Sequence, residues 1–99
     1  MKTIDDVAKM SPNQLVSWFM IASYAYYRTS GDDQVMTDPT FDYLVQRLKE
    51  NYDKADHPHK KFVTKENLEA GSGFDIDFPN MVIGAYRSYM REYYEIIGK

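Results

Sequence analysis

Residues 11–27 read SPNQLVSWFMIASYAYY, and the fold of the whole chain turns on this stretch. Ser11 is a good N-cap, Pro12 suits the first helical position and Gln14 completes a capping box, so a helix starts here with every entry signal in place. Leu15, Trp18, Phe19, Ala22, Ala25 and Tyr26 then recur at the spacing of one helical face. Val16, Met20, Tyr24 and Tyr27 line a second face. A helix apolar most of the way round must be covered on two sides, which makes it the central helix of a helical domain. Its mostly apolar run, residues 15–27, is 13 residues long and broken by Ser17 and Ser23. A membrane span needs about 20. The helix is expected to stop near Ser30 and Gly31, where glycine can take the left-handed conformation that ends helices.

Working outward, Thr3 caps a short helical turn over residues 4–10, with Asp5 and Asp6 at its positive end. Residues 30–37 read as a polar loop. Asp38 is placed to cap the next helix with Pro39 in its first turn, and Phe41, Leu44, Val45, Leu48, Tyr52 and Ala55 form a clean buried stripe. Pro58 ends it. Thr64 caps one or two turns through Leu68, closed by Gly71, and residues 71–78 follow as a loop or at most a brief extended piece. There Phe74, Ile76 and Phe78 alternate with Asp75 and Asp77, as expected when rings plug inward and acids face water. Pro79 opens the last helix, whose stripe is Val82, Ala85, Tyr86, Tyr89, Tyr93 and Ile96. No strand pattern or repeat appears. The expectation is a small all-α single domain over residues 1–99, with three main helices and two short ones, built on an antiparallel helical hairpin.

Composition narrows the function. Leu, Ile, Val and Phe make up only 21 of 99 residues, while nine Tyr, six Met and one Trp supply the rest of the core. A chain this short leaves little room for both a core and an elaborate catalytic cleft. With no Cys there is no disulfide framework and no thiol nucleophile. The start, Met1-Lys2-Thr3-Ile4-Asp5-Asp6, lacks the pattern of a signal peptide, so a cytoplasmic protein is expected and no membrane partner. Net charge is −3, distributed as −1 over residues 1–37, 0 over 38–63 and −2 over 64–99. Duplex nucleic acid binding relies on clustered Lys and Arg, so none is expected. The one cationic cluster, His57, His59, Lys60, Lys61 and Lys65, reads as a solvated patch.

Catalytic constellations are thin. Both histidines lie beside Pro58 at an exposed helix end, and no Gly-x-Ser-x-Gly elbow is present, which argues against a serine hydrolase. His57, His59, Asp53 and Asp56 have the residue types of a metal site but read as ordinary surface, and no metal is expected. Gly71-Ser72-Gly73 could form a phosphate nest, yet no Lys-Ser/Thr follows and Asp75 and Asp77 would repel an anion. The mouth of the hairpin is different. Tyr24, Tyr26 and Tyr27 end the central helix, facing Asp38, Phe41 and Asp42 at the start of the next. Tyrosine rings offer faces to a nucleobase-like ring, and carboxylates accept hydrogen bonds from ribose or amide groups. The same residues fit ordinary roles: Asp38 a cap, Phe41 core, Asp42 a solvated acid. On spacing alone the ordinary roles are preferred.

Tyr26-Tyr27-Arg28, a loop, Met36-Thr37-Asp38-Pro39-Thr40-Phe41-Asp42-Tyr43-Leu44 and finally His57-Pro58 resemble the N-terminal Ia domain of bacterial NAD-dependent DNA ligases, over residues 15–60. The later residues look more like small phage-encoded proteins related to that domain. In the ligases this domain grips the nicotinamide mononucleotide (NMN) half of NAD. The resemblance implies nucleotide contact by Tyr26 and Tyr27 through ring stacking and by Asp38 and Asp42 through hydrogen bonds. Phe41 stands where the ligases have Tyr, which keeps stacking and loses a hydroxyl, and the loop after Tyr27 is longer than theirs. The ligase nucleophile, a lysine in a Lys-x-Asp-Gly motif, has no counterpart here, so the chain is not expected to be an enzyme.

Two readings follow. In the first, the chain is a non-catalytic module binding NMN, NAD or a related nucleotide through Tyr26, Tyr27, Asp38, Phe41 and Asp42, a phage-type accessory protein needing no further cofactor. In the second, the same scaffold is a protein-interaction module with a vestigial pocket, meeting a protein partner through the Tyr-rich last helix. There Tyr86, Tyr89, Tyr93 and Tyr94 exceed one buried stripe, with Tyr86 and Tyr94 the surplus rings. Arg87 and Arg91 are available for acids, including Glu95 one turn on.

Overall fold

A computed structural model of the chain describes residues 1–29, 34–73 and 75–96, and of 94–96 the backbone alone. Its helices are α1 (Ile4–Ala8), α2 (Pro12–Tyr27), α3 (Asp38–Asn51), α4 (Lys65–Ala70) and α5 (Asn80–Ile96), with short 3-10 turns at Tyr52–Lys54 and Lys60–Phe62. Among the described residues no strand forms, and one isolated parallel bridge pairs Lys2 with Met36. The protein is the small all-α domain its periodicities require.

The capping chemistry explains where most helices begin. Thr3, Ser11 and Thr64 each close a capping box, with Asp6, Gln14 and Asn67 as the reciprocal partners. The cap of α3 is Thr37 rather than Asp38: the Thr37 hydroxyl accepts the Thr40 N–H, which leaves Asp38 as the first helical residue. Helix α1 stops at Ala8, short of residue 10. The guanidinium of Arg47 on α3 takes the Val7 and Met10 carbonyls at 3.0 and 3.1 Å, a cation at a helix C-terminus. Helix α2 ends at Tyr27 with Arg28 as its C-cap, before the expected stop; Ser30 and Gly31 lie outside the described residues. Helix α3 ends at Asn51 instead of running to Ala55. The chain tightens into the 3-10 turn at Tyr52–Lys54, and the Tyr52 hydroxyl donates to the Val63 carbonyl at 2.6 Å. Gly71 closes α4 at φ 64°, the left-handed region expected of it.

Helix α2 occupies the middle of the domain, packed by α3 on one side and α5 on the other. Leu15, Val16, Phe19, Met20 and Ala25 have no exposed surface. Toward α3, Phe19 stacks on Phe41 with centroids 5.5 Å apart. Toward α5, Trp18 meets Tyr89 edge-on at 5.1 Å and Tyr24 meets Tyr86 at 5.3 Å. The buried face of α5 is Val82, Tyr86 and Met90, with Tyr89 and Tyr93 half-buried. Ala85 is exposed, one helical step off the expected stripe, because Met90 takes the inward position in the next turns. Tyr86 is therefore core rather than a surplus surface ring; the side chains of Tyr94, Glu95 and Ile96 lie outside the described set. Ile76 is buried and Phe78 half-buried while Asp75 and Asp77 are exposed, as the alternation requires; Phe74 is not described.

The end of the hairpin away from its connecting loop is tied by two side chains of α2. Asn13 offers its amide to Asp56 like a second backbone: its Oδ1 accepts the Asp56 N–H at 2.7 Å and its Nδ2 donates to the Asp56 carbonyl at 3.3 Å. One turn on, Ser17 Oγ lies 2.7 Å from Nε2 of His57. The other ring nitrogen, Nδ1, accepts the backbone N–H of His59 at 2.9 Å, so it carries no proton. The Nε2 proton is then donated to Ser17. His57 is half-buried rather than exposed, and its pKa is lowered, first by burial and then by the neighbouring His59.

The unfolded chain takes up a proton at His57 near pH 6.5, whereas the folded chain does so only at lower pH. Stability is thus expected to fall as the pH drops below that value. Asp6, whose pKa is held down by the Thr3 backbone N–H and hydroxyl, loses its contribution only in the more acid carboxylate range. Urea midpoints should be lower at about pH 5.5 than at about pH 7.5, with the drop reduced in His57→Gln. A His57 ring titrating at or above 6.5 by NMR contradicts this bonding.

Candidate functional site

At the loop end of the hairpin, where α2 finishes and α3 starts, lies a cavity of about 280 Å³. Tyr26 and Tyr27 from the last turn of α2 line it, together with Asp38, Phe41 and Asp42 from the first turns of α3. All five residues singled out in the sequence converge on this one site. Tyr24 does not join them; its ring turns to Phe78 and Tyr86.

Each lining group has a structural reason for its place. Phe41 is backed by the Phe19 ring, so it is both core and cavity wall. Tyr26 and Tyr27 stand edge to face, 4.8 Å apart, with Tyr26 half in solvent. Because Thr37 takes the capping role, the Asp38 carboxylate is not spent on the α3 backbone. Asp42 follows one turn later, and both acids are exposed at the mouth. Among the described lining residues there is no Lys or Arg, so the cavity carries two negative charges beside three aromatic rings.

The remaining walls come from segments that read differently in the sequence. Gln34, Val35 and Met36 close one side, and the last two are buried although residues 30–37 looked like a polar loop. The Lys2 N–H donates to the Val35 carbonyl at 2.8 Å, pinning this segment to the N-terminus. Lys2 is itself held with its ammonium 4.8 Å from the Trp18 ring centre. The adjacent pair Val35-Met36 inside a polar stretch was the signal available. Gly71 supplies the opposite wall, from the connector between α4 and α5. That connector is anchored rather than free: buried Asn67 donates to the Ser72 carbonyl at 3.2 Å and to the Asp75 carboxylate at 2.7 Å.

Ser23 forms part of the same lining, is fully buried, and its hydroxyl has no hydrogen-bond partner among the described residues. Gly73 lies directly over it. A Cβ at Gly73 would sit 2.4 Å from Ser23 Oγ and 2.7 Å from Ser23 Cβ, so only glycine fits this approach.

Elsewhere the sequence candidates disperse. Among the described residues no three metal-ligating side chains converge, and both nitrogens of His57 are engaged within the fold. In the cationic cluster, Lys60 donates to the Ala55 carbonyl and lies over Tyr52, Lys61 lies over Phe62, and Lys65 faces Asp53 at 3.9 Å. No described helix is long and apolar enough to cross a membrane. Comparison of the chain with protein-family models, curated proteins and solved structures gives no match.

The contact between Ser23 and Gly73 has opposite consequences on its two sides. Ser23→Ala removes an unsatisfied buried hydroxyl and is expected to stabilise the fold by about 1 kcal/mol. Gly73→Ala forces two backbones apart and is expected to cost about 1–3 kcal/mol. Denaturant titrations of the two variants check this; a destabilised Ser23→Ala would mean the hydroxyl is satisfied.

Proposed function

We propose that this chain is a non-catalytic nucleotide-binding module, similar to the ligase Ia domain, that receives a nicotinamide nucleotide (NMN, or the NMN half of NAD) at the mouth of its helical hairpin. One observation carries the reading: Tyr26, Tyr27, Asp38, Phe41 and Asp42 share a single cavity. The chemistry of that cavity supports the same ligand class. Oxidised nicotinamide is a cationic aromatic ring, and aromatic faces together with carboxylates are the groups that favour such a ring. Asp38 and Asp42 also suit the hydroxyls of a ribose or a ring carboxamide, since ionised carboxylates accept strong hydrogen bonds. At about 280 Å³ the cavity is near the small end of ligand sites, which typically run about 300–1,000 Å³, and suits half a dinucleotide better than a whole one. The role fits an accessory binding piece of the phage type.

Calorimetry with NMN, reduced NMN and AMP tests the reading. NMN should bind and the two ligands without a cationic ring should bind more weakly. Loss of a charge-assisted hydrogen bond in Asp38→Asn should weaken NMN by roughly 10–100-fold, and Tyr27→Ala should weaken it as well. No heat from millimolar NMN would sink the proposal, and unchanged affinity in both variants would move the site elsewhere.

A further inference from the structure

The Tyr27 hydroxyl lies 2.9 Å from Ser72 Oγ, a contact between residues 45 positions apart in the chain. Tyr27 is the last residue of α2, on the turn of a helix where intrahelical bonds give the least support. Its ring also sets its neighbour, since Tyr26 packs edge-on against it and is half-exposed. The contact at the Tyr27 hydroxyl is thus one support for the orientation of both cavity rings.

Ser72 is itself held firmly. Its N–H donates to the Asn67 carbonyl at 3.0 Å and its own carbonyl accepts from Asn67 Nδ2 at 3.2 Å. Asn67 is buried and uses its whole amide: Oδ1 accepts from the Thr64 N–H and hydroxyl in the α4 capping box, and Nδ2 bonds Ser72 and Asp75. A single side chain thus starts α4 and fixes the connector that follows it. Gly71, the adjacent residue, is already in the cavity wall. The line of support runs from the α4 cap through Asn67 and Ser72 to the Tyr27 ring.

We propose that Ser72 is a positioning residue of the cavity, fixing the Tyr27 ring, and through it Tyr26, in the attitude that stacks on a bound ring. The proposal rests on the nucleotide reading and extends it to a segment outside the hairpin. A bound ligand then gains affinity from a preorganised pair of rings, without Ser72 touching it.

The test is a double-mutant cycle read by NMN calorimetry on the full chain. Ser72→Ala, which removes one neutral hydrogen bond, is expected to weaken NMN roughly three- to tenfold. Ser72→Thr, which keeps the hydroxyl, restores most of the affinity. In a Tyr27→Phe background Ser72→Ala adds nothing, because the bond is already gone; a merely structural role of Ser72 would still add its loss there. Urea midpoints confirm that the variants are folded. Binding by the wild type with full affinity in Ser72→Ala, or an equal loss in both backgrounds, overturns this proposal and leaves the nucleotide reading standing. No binding of NMN by the wild type overturns both.

Discussion

Helix α2 is apolar on two faces and is covered by α3 on one and α5 on the other. Leu15, Val16, Phe19 and Met20 have no exposed surface, and a side chain of that size contributes about 1.5–3 kcal/mol when fully buried. No single neighbour can cover a helix apolar on two faces. Helix α3 covers one through Phe41 on Phe19, and α5 covers the other through Tyr89 on Trp18 and Tyr86 on Tyr24. Aromatic rings fill the places that Leu occupies in most small helical domains. Three of the nine tyrosines, Tyr24, Tyr86 and Tyr89, make the ring contacts of this second interface.

With α2 fixed, the hairpin has two ends with different characters. At one, Asn13 and Ser17 bind the chain around Asp56 and His57, so the return path of α3 is tied to the start of α2. At the other, the loop end, rings from α2 and acids from α3 line the cavity. Further lining comes from the apolar pair Val35-Met36, which the Lys2 N–H holds at Val35, and from Gly71 at the start of the connector after α4. The orphaned Ser23 hydroxyl and the close approach of Gly73 lie on the border between core and cavity. Unsatisfied polar groups and crowded backbones tend to occur where a fold also has to serve a site.

Local chemistry made most of the fold legible. The capping boxes at Thr3 and Ser11, the cap at Thr64 and the left-handed Gly71 follow from neighbours a few residues away, and so does the periodicity of α2 and α3. The differences arise where distant residues intervene. Arg47 takes the carbonyls that would have extended α1, and Tyr52 leaves the helical line to reach Val63. On α5, Met90 is buried and Ala85 exposed, while Tyr89 and Tyr86 meet Trp18 and Tyr24 on another helix. At the cavity, the nearness of the five residues was readable since they lie on two adjacent helix ends, although their spacing alone favoured ordinary cap, core and surface roles. Val35, Met36, Gly71 and the support from Asn67 through Ser72 were not, because their role exists only after the loops have folded back.

We propose that this protein meets a nucleotide at the mouth of its hairpin. Backbone NMR of the isotope-labelled chain during addition of NMN addresses it residue by residue. Shift changes are expected over residues 22–27 and 34–42 and in the connector at 71–73, with the rest of the spectrum still. Changes centred instead on Tyr52 and Lys65, or spread along the exposed face of α5, would contradict the claim.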